Sequence, residues 1–233
     1  MNALLSTSLV HANVFSGAHV NSHGIDGLSP LTVASRKGHT NIVKMLLDSG
    51  ADTETRDSAV RTALWYATAS GWIDVLDALI ARGADVDALD YRRRSPLCQA
   101  AILGHVDVAK RLIQRGAKIT GKEGDCDDPL SCAAIWGKQK VEEILQLLMN
   151  NGAHIDPATD KYNETALMCA VYKGDLDTVR MFVERGADIH ARNVDNLQAI
   201  DIASYCGYVD VVKYVVTCLP VPGLIITATL QCV

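Results

Sequence analysis

Aromatic residues are scarce. Two Phe, three Trp and seven Tyr make up 5% of the 233 residues. One large core usually draws on more rings than this, so small aliphatic side chains must carry most of the packing. A basic surplus is also missing, with 22 Lys and Arg against 27 Asp and Glu and a net charge of −5. That balance argues against a nucleic-acid partner, although a local basic patch stays open. No CxxC pair occurs. The seven cysteines, at 98, 126, 132, 169, 206, 218 and 232, are odd in number, and several lie in apolar stretches. They are expected to be reduced, mostly buried thiols of an intracellular protein, cytoplasmic or nuclear, and not a disulfide framework. No charge-free run reaches roughly 18 residues with the right character for a spanning helix. The nearest, Cys218 to Val233, has 16 residues and contains Pro220 and Pro222. The N-terminal MNALLSTSLVHANVF lacks the basic start of a secretory leader. No membrane association is expected. What remains, 48% hydrophobic and 21% charged, is a globular composition.

The chain repeats itself. Gly-Ala recurs at Gly17, Gly50, Gly83, Gly116, Gly152 and Gly186, with spacings of 33, 33, 33, 36 and 34. A second glycine recurs at Gly38, Gly71, Gly104, Gly137, Gly174 and Gly207, with spacings of 33, 33, 33, 37 and 33. Each unit opens alike: Ser29-Pro30-Leu31, Thr62-Ala63-Leu64, Ser95-Pro96-Leu97, Asp128-Pro129-Leu130 and Thr165-Ala166-Leu167, with Gln198-Ala199-Ile200 the most degraded copy. A Ser, Thr or Asp oxygen caps free helical N–H groups, and proline tolerates the first helical position. An alanine follows in register at Ala34, Ala67, Ala100, Ala133, Ala170 and Ala203, marking a small face where helices approach closely. The second glycine then fits a left-handed helix end. A second helix follows, with Ile42, Val43, Leu46 and Leu47 at helical spacing in the first unit.

This grammar resembles the ankyrin repeat over nearly the whole chain. The T-P-L-x-x-A, G-H, V-V-x-x-L-L and G-A-D elements are nearly complete from Ser29 to Asp52 and from Ser95 to Ala117. The resemblance implies an all-α repeat solenoid of helix-turn-helix units with β-hairpin fingers, in which neighbours bury each unit's apolar face. Six units are expected, at 24–56, 57–89, 90–122, 123–159, 160–192 and 193–219. Residues 1–23 form an N-terminal half-repeat or cap, and 220–233 an apolar tail. The fourth unit is longer, with 15 residues from Gly137 to Gly152 where the usual span is 12. Three extra residues are close to one turn, so a longer second helix is the simplest expectation. It is either a tolerated insertion or a change of curvature beside a binding site. One more residue enters the finger near Pro157 to Asn163. The family's T-P-L-H histidine is replaced by Thr32, Trp65, Cys98, Ser131, Met168 and Asp201, which implies weaker bonding between repeats. The half-unit at the start and the uncapped LIITATLQCV at the end leave two possibilities. Either the tail folds back over the last helix pair, or the array is part of a longer one; the second is favoured.

Catalytic grammar is absent: no Gly-rich phosphate loop, HExxH or GxSxG occurs, and no cofactor is implied. Asp125, Cys126, Asp127, Asp128 and Cys132 are the one set with metal-ligand character, but Asp128 is needed as a cap and Cys132 in the core. Cys132 and Cys169 occupy the same position in adjacent units, as core thiols. His39 and His105 fill the family's structural G-H position. Asn21 occupies the finger position that can be hydroxylated in the family; its counterparts are Glu54, Asp87, Thr120, Asp156 and His190.

Binding must use residues the repeat does not need. The resemblance places Ile102, Leu103, Trp136, Tyr172 and Tyr205 on the inner face at the ends of first helices, and Tyr91, Arg92, Arg94 and Tyr162 on fingers. Tyr and Trp dominate interface energetics. The rings either pack against the fingers and one another or bind a protein partner, and the second is favoured. Arg92-Arg93-Arg94 in unit three faces Glu123, Asp125, Asp127 and Asp128 in unit four. These charges pair at the surface or orient a partner. The expected function is a non-enzymatic, monomeric protein-interaction module with a protein partner on its concave face. The alternative is a scaffold or regulatory segment of a larger protein whose other domain carries the activity.

Overall fold

Cap chemistry sets where the helices start. The side-chain oxygens of Ser29, Thr62, Ser95 and Thr165 accept from the backbone N–H three residues on, at 3.2, 3.3, 3.2 and 3.3 Å. Asp128 does the same through Oδ2, accepting from the N–H groups of Leu130 and Ser131 at 3.1 Å each. Gln198, the degraded copy, is served by a capping box: its N–H donates to Asp201 Oδ2 at 2.9 Å.

The computed structural model describes residues 20–24, 26–120, 128–136, 140–156 and 162–219. Among these, twelve helices form six antiparallel pairs: α1 Pro30–Lys37 with α2 Thr40–Asp48, α3 Ala63–Ser70 with α4 Ile73–Ile80, α5 Pro96–Leu103 with α6 Val106–Gln114, α7 Pro129–Trp136 with α8 Val141–Asn150, α9 Ala166–Lys173 with α10 Leu176–Glu184, and α11 Ala199–Cys206 with α12 Val209–Cys218. The chain divides after Lys118 into two compact units. In the first, α1, α3 and α5 pack side by side, as do α2, α4 and α6. In the second, α7, α9 and α11 form the inner row, and α10 packs on α12. The expected half-repeat up to residue 19, the tail 220–233 and the extra finger residue lie outside the described residues.

Leucine and alanine build both cores. Leu64, Leu76, Leu79, Leu97 and Leu112 are sealed in the first unit, and Leu130, Ile144, Leu145, Leu148 and Leu167 in the second. The alanine ladder from Ala34 to Ala203 is buried throughout, so within each unit the first helices of adjacent pairs meet without a bulky side chain between them. Phe182 on α10 is the one fully buried aromatic side chain among the described residues.

Two expectations change. The fingers are hairpin-shaped but contain no strand among the described residues; tight turns close them instead. The insertion of the fourth unit does not lengthen the second helix by a turn. Helix α8 has ten residues, one more than α2, α6 and α10, and residues 137–139 before it lie outside the described residues.

Gly38 and Gly50 need their glycine for different reasons. Both have positive φ, 73° and 82°. A Cβ on Gly50 would meet nothing within 4 Å, whereas one on Gly38 would lie 2.6 Å from the Trp72 ring. Gly50→Ala should therefore cost about 1 kcal/mol of backbone strain alone. Gly38→Ala should cost about 2–3 kcal/mol, because the indole must also move. Urea unfolding of both variants checks this, and equal losses would show that the ring contact contributes nothing.

Candidate protein interface

Three fingers among the described residues are each folded by one side chain. Asp57 Oδ1 accepts from the N–H groups of Ala59 and Arg61 at 2.8 and 2.9 Å, and the Asp57 N–H donates to Arg61 O at 3.1 Å. Asp90 repeats the arrangement with Arg92 and Arg94, and Asn193 with Asp195 and Leu197. The turn needs positive φ at Val60, Arg93 and Asn196, at 59°, 62° and 62°. The recurrence of Asp57, Asp90 and Asn193 at one phase of the repeat was available as a signal. It is hard to separate from ordinary loop polarity without the hydrogen bonds.

Neighbouring repeats are fastened in two ways. The side chains of Asn21, Glu54, Asp87 and Asp156 accept from the backbone N–H groups of Asp52, Asp85, Lys118 and Asp188, at 2.9, 3.0, 2.9 and 3.0 Å. The position singled out for Asn21 is thus a structural fastener, and its amide also donates to Gly50 O. On the other side, Trp72 Nε1 donates to Arg36 O at 3.2 Å, His105 Nε2 lies 3.2 Å from Ala69 O, and the Tyr208 hydroxyl donates to Tyr172 O at 3.3 Å. Bonding between repeats therefore runs through the G-H position. Two of the residues replacing the T-P-L-H histidine bond to their own caps: Thr32 Oγ1 lies 3.0 Å from Ser29 Oγ, and Ser95 Oγ donates to Cys98 Sγ.

In the first unit, Tyr91 and Arg92 are exposed, with Arg92 Nε donating to the Tyr91 hydroxyl at 2.6 Å and the guanidinium 5.3 Å from the ring centroid. Arg94 is half-buried and paired with Asp90 at 3.0 Å, so it supports the finger from within. Leu103 is half-buried. Ile102 is only 7% exposed and leaves the candidate surface. A wholly aliphatic side chain at the end of an inner helix turns into the core, whereas tyrosine at the same position keeps its hydroxyl in water. The sequence also gave no notice of the Asp57 cluster. The Arg61 guanidinium sits 4.9 Å from the centroids of both Trp65 and Tyr66, pairs with Asp57 at 2.9 Å, and Tyr66 donates its hydroxyl to Asp57 Oδ2 at 2.7 Å.

In the second unit, Trp136, Tyr162, Tyr172 and Tyr205 are exposed, Trp136 by 61% and Tyr205 by 91%. Tyr172 is the centre of a set. Its hydroxyl is pushed up to about 12 by partial burial, by Glu164, which also accepts its hydrogen bond, and by nearby Cys206 and Asp195. Glu164 belongs to the finger of Tyr162, Asp195 follows Val194, whose N–H donates to Tyr162 O at 2.9 Å, and Cys206 follows Tyr205. Cys132 and Cys169 are buried in adjacent pairs. Glu123, Asp125, Cys126 and Asp127 lie outside the described residues. No helix of the described residues is long and apolar enough to cross a membrane.

Paired short helices with turn fingers, linked by repeating side-chain fasteners, define a repeat protein of one class. The family description "Ankyrin repeats (3 copies)" matches residues 2–90, 55–123, 73–159, 97–193 and 130–221, and the chain belongs to the ankyrin-repeat family. Ankyrin repeats are generally protein-interaction modules. The Notch-regulated ankyrin repeat-containing protein of Xenopus tropicalis is 36% identical over 76 residues, which is 31% of this chain and 67% of that protein. Among solved structures, the human ASB11 ankyrin repeat domain is similar with a TM-score of 0.80 and 24% identity, covering 95% of each chain. The ankyrin repeat domain of Bcl-3, a member of the IkappaB protein family, is similar with a TM-score of 0.73 and 25% identity, over 91% of this chain and 93% of that one.

Proposed function

We propose that this chain is a non-enzymatic binding module that holds a protein partner on the face formed by its fingers and first helices. The observation that supports this is the set of exposed rings at Trp136, Tyr162, Tyr172 and Tyr205. Exposed Tyr and Trp contribute large contact area at small entropic cost, and a few such residues dominate most interfaces. Tyr91 and Arg92 supply a second contact region on the first unit. Partners captured from the native cell by cross-linking should be lost on Tyr205→Ala and Trp136→Ala, with far-ultraviolet circular dichroism and thermal melting unchanged. Capture of the same partners at the same affinity by both variants would remove this face from consideration.

A further inference from the structure

We infer that the fingers and first helices of the first unit receive an acidic peptide segment of the partner, whose carboxylates meet arginines stacked on tyrosines; this rests on the proposed binding role. The charge of this unit is sorted by side. The finger and first-helix stretches 24–38, 56–71 and 89–104 hold 7 Lys and Arg against 3 Asp, whereas the rest of residues 39–118 hold 6 Lys and Arg against 8 Asp and Glu. The two sides also differ in pairing. On the second helices and the turns after them, five of the six cations meet a carboxylate, Lys44 being the exception. On the finger side, Asp57 and Asp90 are sealed in their turns, with side chains 1% and 0% exposed, and answer Arg61 and Arg94. Arg36, Lys37, Arg56 and Arg92 are exposed, and none forms an ion pair among the described residues. Two of these are held ready. Arg36, at the end of α1, lies 5.9 Å from the Tyr66 centroid, and its carbonyl accepts bonds from Ser70 Oγ and Trp72 Nε1 at 3.2 Å each. Arg61 lies 4.9 Å from the same centroid, so two guanidinium groups share one ring with the Asp57 carboxylate alone to answer them. Arg92 lies 5.3 Å from the Tyr91 centroid. A guanidinium stacked on a ring keeps its N–H edge for a carboxylate, which it can grip with two bonds. A basic segment would meet like charge here. A nucleic-acid backbone would be repelled by the net charge of −5 on the whole chain.

The test uses the full chain and three peptides with the same leucine spacing, labelled with an uncharged fluorophore and carrying Glu, Gln or Lys at the remaining positions. Anisotropy should show binding of the Glu peptide, weakening with salt. Arg36→Gln with Arg92→Gln should reduce its affinity by about tenfold, and Arg36→Glu with Arg92→Glu should turn the preference to the Lys peptide. Both side chains are exposed, so circular dichroism of the Gln pair should match wild type. Lys44→Gln with Lys110→Gln removes the same charge from exposed positions on α2 and α6 and should leave binding intact. Equal weakening by that control pair would mean diffuse attraction and would overturn the inference. Preference for the Gln or Lys peptide, lost on Tyr91→Ala, would overturn the acidic partner while keeping the first unit as an interface. Tighter binding of a single-stranded oligonucleotide than of the Glu peptide, with the same arginine dependence, would overturn the peptide in favour of a polyanion. Absence of Glu-peptide binding, or binding independent of Arg36 and Arg92, would overturn the inference alone, because partner capture with Tyr205→Ala and Trp136→Ala decides the second unit separately.

Discussion

Asp57→Ala is expected to destabilise the first unit by about 3–5 kcal/mol, because it strips a buried carboxylate from a network whose other members stay buried. Asp57 holds the finger turn through two backbone N–H groups, pairs with Arg61 and accepts the Tyr66 hydroxyl. Its removal leaves Tyr66, itself 6% exposed, with no acceptor, and frees the guanidinium that lies over Trp65. Asp57→Asn should cost less, since Asn193 folds its own finger with an amide oxygen in the same role. The pH dependence has two edges. Burial pushes the Asp57 carboxyl up, but hydrogen bonds from Tyr66, Arg61 and Ala59 outweigh it and hold it below the usual 3.8. Its stabilisation is therefore complete above that ordinary value and is lost as pH falls through the lowered one. Tyr66 is pushed from 10.0 to about 12 by burial and by Asp57. Its share is complete below 10.0 and is lost as pH rises toward about 12. Urea unfolding of wild type and Asp57→Ala should show the largest gap near neutrality, shrinking toward both edges. A constant gap across the range would refute the coupling.

Phe182→Ala is expected to cost about 3–5 kcal/mol in the second unit, by loss of transfer free energy and by the cavity left on α10. Phe182 is fully buried, and α10 packs on both α9 and α12. Repeat stability is a sum of intrinsic and nearest-neighbour contributions, so the loss should spread to the adjacent pairs. Trp136 is the one tryptophan in residues 119–233, while Trp65 and Trp72 lie in residues 1–118. Trp136 fluorescence in the double variant Trp65→Phe/Trp72→Phe therefore isolates the second unit's transition, with and without Phe182→Ala. Phe182→Leu should recover much of the loss, and an unchanged midpoint for Phe182→Ala would sink this account of the core.

The helix pairs were legible because their signals are local. A cap oxygen at Ser95, a proline at its first helical position and a glycine at Gly104 act within a few residues, and their recurrence makes chance agreement implausible. The candidate rings at Trp136, Tyr162, Tyr172 and Tyr205 were legible for the converse reason: they stand at positions that the repeat leaves unassigned. Ile102 shows where that logic stops, since position in the repeat gives the direction of a side chain only approximately and its chemistry settles the rest. The inserted residues of the fourth unit show it again. Counting found them, but that α8 does not take up a whole turn is decided by where the helix begins and ends in the fold.

Sequence alone determined the family, the period, the caps and the aromatic-poor core, all written in residue identities at fixed spacing. Tertiary structure decided how the charges are spent. Asp57 and Asp90 are consumed inside fingers, Arg61 and Arg94 answer them, and Asn21, Glu54 and Asp87 bind the next repeat's backbone. Glu164 accepts the Tyr172 hydroxyl bond, with Asp195 nearby. The difference is physical: periodicity is a property of neighbours along the chain, whereas the partner of a charge is a property of neighbours in space.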